Sequence, residues 1–282
     1  MDADGVDDES AGARTVSGIC QGSVGIVDAG GRRRRRLLLI LTLVAVGVAG
    51  VVVVHPLNSM VMRLALVGCV VGAWAGMVVL GWRWRWGRVG LLVLPVLAVV
   101  PVILPGGEID AEELRADYVR RLGSFEGTRY YWGGESARGI DCSGLPRRAL
   151  RDALLEYGVR HGNGRAIWEW VGQWWFDASA RALAAGYRGY TVPVGMGGTI
   201  REMDYGALRP GDLAVTASGV HILAYAGEGR WIQADPGLGR VVTLDGRADE
   251  NGWFLSAVTV HRWRVLVEGA RTERDLDPAA HR

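Results

Sequence analysis

The chain has 282 residues, a formal net charge of +2 and a composition in which 49% of residues are hydrophobic. A charge so close to zero excludes the broad basic field of a nucleic-acid-binding protein, so no nucleic-acid partner is expected. The length admits one large domain or two ordinary ones. The apolar residues are segregated: they run almost unbroken from Leu37 to Pro105, and the remainder has an ordinary soluble composition.

Residues 1–36 make the first unit. Residues 1–31 are rich in Gly, Ala and Asp without helical or strand periodicity, which predicts a disordered tail, and Arg32–Arg36 closes it with consecutive arginines. Residues 37–105 follow as a membrane region with spans at about 37–54, 64–81 and 89–104. The first run, LLLILTLVAVGVAGVVVV, would rise about 27 Å as a helix, close to the roughly 30 Å hydrocarbon core. The second follows a short HPLNS loop. The third follows WRWRWGR (Trp82–Arg88); it is short and contains Pro95 and Pro101, but it leads into an acidic segment from Glu108. Both Arg-rich segments are expected on the cytoplasmic side, with their tryptophans in an interfacial belt. Beside a span, the arginine block reads as a topology signal rather than a nuclear-localisation patch. Three spans from a cytoplasmic N terminus predict a multi-pass protein of the cell membrane, with the lipid bilayer as a partner and everything after residue 106 extracytoplasmic.

Residues 106–268 read as one domain. Asp110 and Glu113 form an N-cap and its capping-box partner. Leu114, Tyr118 and Leu122 then recur on one helical face, and Gly123 ends the helix. A second helix is expected over Arg147–Tyr157. Residues 158–200 look like a Trp-rich insertion with a helix from about Ile167 to Ala185, its Trp168, Trp170, Trp174 and Trp175 expected in the core. RPGDLAV, VHILAYAG, RWIQAD, RVVTL and LSAVTVHRW read as short strands between Gly, Asp and Pro turns. Helices followed by antiparallel strands predict an α+β domain. Residues 269–282 read as a polar tail.

Of the three cysteines, Cys20 lies in the tail, Cys69 in an apolar run, and Cys142 in the soluble domain within GIDCSGL. With no second cysteine in its domain, Cys142 is expected to be a free thiol. It sits where a loop becomes a helix, a position whose unpaired N–H groups favour a thiolate. A thiolate acting on an amide also needs a general base. His161, His261 and His281 lie in the insertion, the last strand and the tail, whereas His221 opens an alternating strand. A hairpin loop centred on Gly227 would set His221 opposite Gln233, whose side chain could hold one imidazole nitrogen while the other faces Cys142. A two-residue turn would shift that register.

Together, YYWGG, GIDCSGL, RPGDL and GVHILAYAGEGRWIQA over roughly residues 110–265 resemble the NlpC family of papain-like bacterial cell-wall peptidases. The resemblance implies a papain-like fold, with a helix group packed on the antiparallel sheet. It implies Cys142 as nucleophile, His221 as base, Gln233 as the residue orienting that base, Tyr130 at the oxyanion, and Asp141 and Ser143 as substrate contacts. It also implies hydrolysis of amide bonds in peptidoglycan stem peptides, with peptidoglycan or a muropeptide as substrate. Pro146 departs from the family pattern: with Cys142 as first helical residue it would clash with that residue's carbonyl, so an irregular or shifted helix start is expected. Two other functions stay open on the residues alone, namely a thiol amidase or acyltransferase on another amide or lipid substrate, and a catalytically weak wall-binding module. Neither metal-ligand spacing nor a phosphate loop is evident, since GMGGTI lacks the lysine and preceding strand of a P-loop. No metal or cofactor is expected.

Overall fold

Helix α1 (Gln21–Val54) opens the computed structural model, which describes residues 21–267. Residues 1–20 of the expected tail and the polar segment 269–282 therefore lie outside the described residues. Residues 21–36 differ from expectation, because the helix runs back through Arg32–Arg36 instead of starting at Leu37. An established apolar helix has already met the nucleation cost, and arginine is a good helix former, so extension is inexpensive.

The loop His55–Ser59 leads to α2 (Met60–Gly81), whose N-cap Ser59 accepts the Met62 N–H. The two helices pack closely where Gly76 meets Thr42: a Cβ at Gly76 would lie 2.1 Å from Thr42 Oγ1. Helix α3 (Arg85–Ile103) turns back beside α2, pinned by a 2.9 Å bond from Trp74 Nε1 to the Leu91 carbonyl. Among the described residues, two helical segments are long and apolar enough to cross a membrane, Gly30–Val54 and Met60–Gly81. The expectation of three spans is corrected to two. Helix α3 opens with Arg85 and Arg88 in its first turns, and its prolines remove backbone donors. It nevertheless leaves Leu94, Leu97 and Ile103 exposed.

The connector from α3 to the domain is pinned along its length. Pro105 O accepts the Gly164 N–H at 3.3 Å. Asn163 Nδ2 donates to the carbonyls of Gly107 and Glu108, both at 3.2 Å, and the Asp110 N–H donates to the Tyr157 hydroxyl at 3.0 Å. Helix α4 (Ala111–Gly123) is capped by Asp110, which accepts the N–H groups of Glu112 and Glu113. A short hairpin, β1 (Glu135–Ser136) and β2 (Gly139–Ile140), precedes α5 (Gly144–His161).

The insertion holds α6 (Gly164–Trp175) and α7 (Ala180–Ala184), two helices where one was expected, broken before the Ser179 cap. Its tryptophans are not core residues: Trp168 is exposed, Trp174 and Trp175 are half-buried, and only Trp170 packs against the core. Both ends of α6 are tied to the apolar helices. A Cβ at Gly164 would lie 2.0 Å from Leu104 O, so only glycine fits, and Arg63 Nη1 of α2 donates to the Trp175 carbonyl at 2.8 Å.

The sheet comprises β3 (Thr191–Thr199), β4 (Leu213–Thr216), β5 (Ile222–Gly227), β6 (Arg230–Asp235), β7 (Arg240–Asp245) and β8 (Ala257–Trp263). Their order is β3-β8-β4-β5-β6-β7, antiparallel throughout. Strand β3 was hidden in the insertion; it occupies an edge, where Pro193 and a register break before Gly197 are tolerated. Alternation along β5 sorts the core. Ile222 and Ala224 face Leu145, Ala149 and Leu154 of α5 with Tyr118 of α4, while Leu223 and Tyr225 face Ile200, Met203 and Phe254. The domain is α+β, with α4 and α5 packed on an antiparallel sheet.

Candidate active site

Cys142 lies two residues ahead of α5, which begins at Gly144. Pro146 therefore falls in the first helical turn, where its missing N–H breaks no intrahelical bond. Asp141 ties this turn. Its Oδ1 accepts from Ser143 N–H at 3.0 Å, Ser143 Oγ at 3.0 Å and Gly144 N–H at 2.6 Å, and its Oδ2 accepts from Gly133 N–H at 2.9 Å. Both carboxylate oxygens are thus engaged inside the loop, and so is the Ser143 hydroxyl. A Cβ at Gly144 would lie 2.3 Å from Gly134 O, so the helix start and the WGG segment touch backbone to backbone.

The Cys142 side chain is 7% exposed and its Sγ lies 3.7 Å from Val220 O. Burial, and then the Asp141 charge, push its pKa up to about 12, against the pull of the N–H groups of Ile222, Ser143 and Cys142 itself. The thiol thus meets the backbone on either side of His221, at the start of β5. Tyr130 is half-buried beside it. Burial, with the neighbouring Cys142 and Asp141, raises its phenol to about 12, so it is a hydroxyl donor at working pH.

His221 is buried, and its Nε2 lies 2.6 Å from Gln233 Oε1. The contact expected from the sequence is present, but the register that suggested it is not. Strands β5 and β6 pair as Ala224 with Ile232, Tyr225 with Trp231 and Gly227 with Arg230, with an irregularity before Gly227. The turn is Glu228–Gly229, both at positive φ. The same register carried back places Gln233 opposite Leu223, and Asp235 opposite His221. The slip is two residues, which keeps Gln233 on the same face as a diagonal neighbour of His221.

His221 has three further partners, two of which, Trp253 and Thr216, carried no signal in the sequence. Trp253 stacks on the imidazole, with ring centroids 4.0 Å apart and planes at 17°. Thr216 Oγ1 accepts the His221 N–H at 3.1 Å. Asp235, buried, accepts from Gly237 N–H, Leu238 N–H and Asn251 Nδ2, and so anchors the loop that carries Trp253. Burial lowers the His221 pKa, opposed by the Gln233 bond and then by the Asp235 charge.

These shifts favour a neutral thiol at Cys142 and a neutral imidazole at His221. A base whose pKa is lowered stays neutral further into acid, so activity should fall only as pH drops through a midpoint below the ordinary histidine value of 6.5. Gln233→Leu removes the bond that favours the charged ring and should move the midpoint lower still. Loss of the orienting acceptor should also slow turnover roughly 10- to 100-fold, about 1.4–2.7 kcal/mol of barrier. A pH–rate profile of both proteins checks the two effects, and a midpoint above 6.5 in the wild type would contradict this account.

Asp212, in RPGDL, is bound bidentately by Arg262 at 2.6 and 2.7 Å and accepts the Arg209 N–H, so its place is in the turn. Among the described residues no group of three or more His, Cys, Asp or Glu side chains could hold a metal ion.

Residues 127–260 match the NlpC/P60 family model. No curated protein matches the chain. Among solved structures, the P60 domain of an antigen from M. avium subspecies paratuberculosis is 20% identical. The match covers 54% of this chain and 96% of that one, with a TM-score of 0.32. The peptidoglycan hydrolase RipB from Mycobacterium tuberculosis is 22% identical, covering 60% and 76%, with a TM-score of 0.33. An NlpC/P60 family protein from Bacillus cereus is 18% identical, covering 58% and 42%, with a TM-score of 0.35.

Proposed function

With residues 127–260 forming an NlpC/P60 domain, we propose that the chain is a membrane-anchored cysteine peptidase that hydrolyses amide bonds in peptidoglycan stem peptides. The observation that carries this reading is the 2.6 Å contact between His221 and Gln233 at the strand end against which the Cys142 thiol lies. Because Gln233 engages Nε2, Nδ1 is the nitrogen left to take the thiol proton. Cys142 Sγ then attacks the scissile carbonyl as its proton passes to His221, and the Tyr130 hydroxyl donates to the developing oxyanion. The imidazolium returns its proton to the leaving amine. Water, activated by the same imidazole, cleaves the thioester and restores the thiol. Asp141 and Ser143 shape the loop in this reading rather than offering free groups to substrate.

Digestion of purified peptidoglycan by the full chain, with products read by mass spectrometry, tests the proposal. New amine and carboxyl ends within stem peptides support it, and intact muropeptides reject it.

The anchor in this reading is the α1–α2 hairpin, whose His55–Ser59 loop lies against the domain. The loop His55–Ser59 and the end of α3 both meet the domain, so they lie at one end of the helices, and the Trp82–Arg88 turn lies at the other. A reporter fused after Gly107 should be active only outside the cytoplasm. Cytoplasmic activity would remove a cell-wall substrate from consideration.

A further inference from the structure

We propose that the loop between α1 and α2 is a working part of the active site: residues 55–59 hold the segment Tyr131–Glu135 in place, and through it position Asp141 and Cys142. The proposal rests on the peptidase reading for its kinetic test but not for its chemical one.

The Tyr131–Glu135 segment is gripped on two sides. From the catalytic side, Gly133 donates its N–H to Asp141 Oδ2 at 2.9 Å and Gly134 O accepts the Asp141 N–H at 3.0 Å. From the membrane side, the Asn58 N–H donates to Gly133 O at 3.4 Å and the Glu135 N–H donates to Pro56 O at 3.0 Å. Leu57 and Gly134 form an antiparallel bridge between these bonds. The fit leaves no slack. Gly133 has φ +72, and a Cβ there would lie 2.8 Å from Leu57 Cδ2. The same two glycines thus meet the turn that presents Cys142 and the loop that joins two apolar helices.

Buried charge fastens the grip. Glu135 is buried among Arg147 (2.5 Å), Arg151 (3.0 Å) and Arg63 (3.9 Å), and it accepts from Asn58 Nδ2. Arg63, 1% exposed, comes from the first turns of α2. It donates through Nε to Asn58 Oδ1 at 3.0 Å, through Nη2 to Asn58 O at 2.8 Å and through Nη1 to Trp175 O at 2.8 Å. Asp177 completes the cluster, paired with Arg147. A charged side chain of an apolar helix is thereby spent on fixing its loop to the domain. Asn58 sits at the junction, touching Arg63, Glu135 and Gly133 at once, and it and Arg63 are positioning residues rather than catalytic ones.

The test uses the full chain with its helices in detergent micelles. Asn58→Ala should lower kcat on peptidoglycan roughly 10- to 100-fold, because small displacements of a nucleophile are costly, while KM stays within about twofold. Arg63→Met should act in the same direction more strongly; if it does not fold, Asn58→Ala carries the test. A second readout needs no substrate. Iodoacetamide labelling of Cys142, followed by mass spectrometry, should accelerate roughly tenfold in Asn58→Ala as the turn loosens, since access and thiolate fraction set the rate. Labelling of Cys69 in α2 should not change. Unaltered kcat and Cys142 labelling in a folded Asn58→Ala protein would overturn the proposal. So would equal acceleration at Cys69, which marks general unfolding. If peptidoglycan proves not to be the substrate, the labelling comparison still decides.

Discussion

Cys142→Ala should leave peptidoglycan hydrolysis at least about a thousandfold below wild type while the protein stays folded. The size of the loss follows from the absence of any other nucleophile at this turn: Ser143 Oγ is bonded to Asp141 and Asp141 is itself saturated. The fold should survive because the change removes one sulfur from a position at the edge of the core, a cost of about 1 kcal/mol. Asp141, Pro146 and the start of α5 keep all their contacts. Melting temperature and muropeptide release, measured on the same preparation, check both halves. Turnover in a well-folded Cys142→Ala protein would remove Cys142 from the mechanism.

Glu135→Ala should have the largest effect on stability, a loss of about 3–5 kcal/mol. The carboxylate is the shared partner of Arg63, Arg147 and Arg151, all of them buried. Removing it leaves three guanidinium groups with only the half-exposed Asp177 as counter-ion, so the cost arises mainly from stranded charge rather than from a lost bond. Glu135→Gln keeps the shape and one acceptor oxygen and should cost less. Denaturant unfolding of the full chain gives the ranking. Limited proteolysis near the His55–Ser59 loop should show that segment opening first, because Asn58 and Arg63 lose their common partner.

Much of the candidate site was legible because its signals are local. A Gly-rich loop followed by a helical stretch announces the turn at Cys142, and an alternating strand opened by a histidine announces β5. Asp110 capped α4 where its spacing said it would. What escaped depends on contacts between distant segments. The hairpin turn was misplaced because a bulge before Gly227 shifts β5 against β6 without leaving a compositional mark. Gln233 was still found because a two-residue slip preserves facing. Trp253 reaches His221 from a loop whose sequence, NGWFL, has no periodicity to read. Strand β3 hid in a Gly-rich segment of low strand propensity, and its place at the sheet edge comes from pairing with β8. Asp141 makes contacts that its place in the sequence does not reveal: next to Cys142, it fastens a helix start to Gly133 and adds a negative charge that works against a thiolate.

The pinned connector between α3 and α4 has a consequence for reach. A domain hung on a flexible linker of 25 residues could sweep about 25–30 Å from its anchor. Here Pro105, Gly107, Glu108 and Asp110 are each held by the domain, and α6 is tied at both ends to the apolar helices. There is no slack to pay out. For a bilayer-anchored chain, the distance from lipid to Cys142 becomes a constant of the molecule, and so does the direction in which the cleft points. If the proposed peptidase activity holds, a domain fixed in this way would not search the thickness of a wall. It would work at one depth, on strands that lie or are delivered at that height. Inserting flexible residues after Gly107 would therefore change which strands are cut as well as how fast.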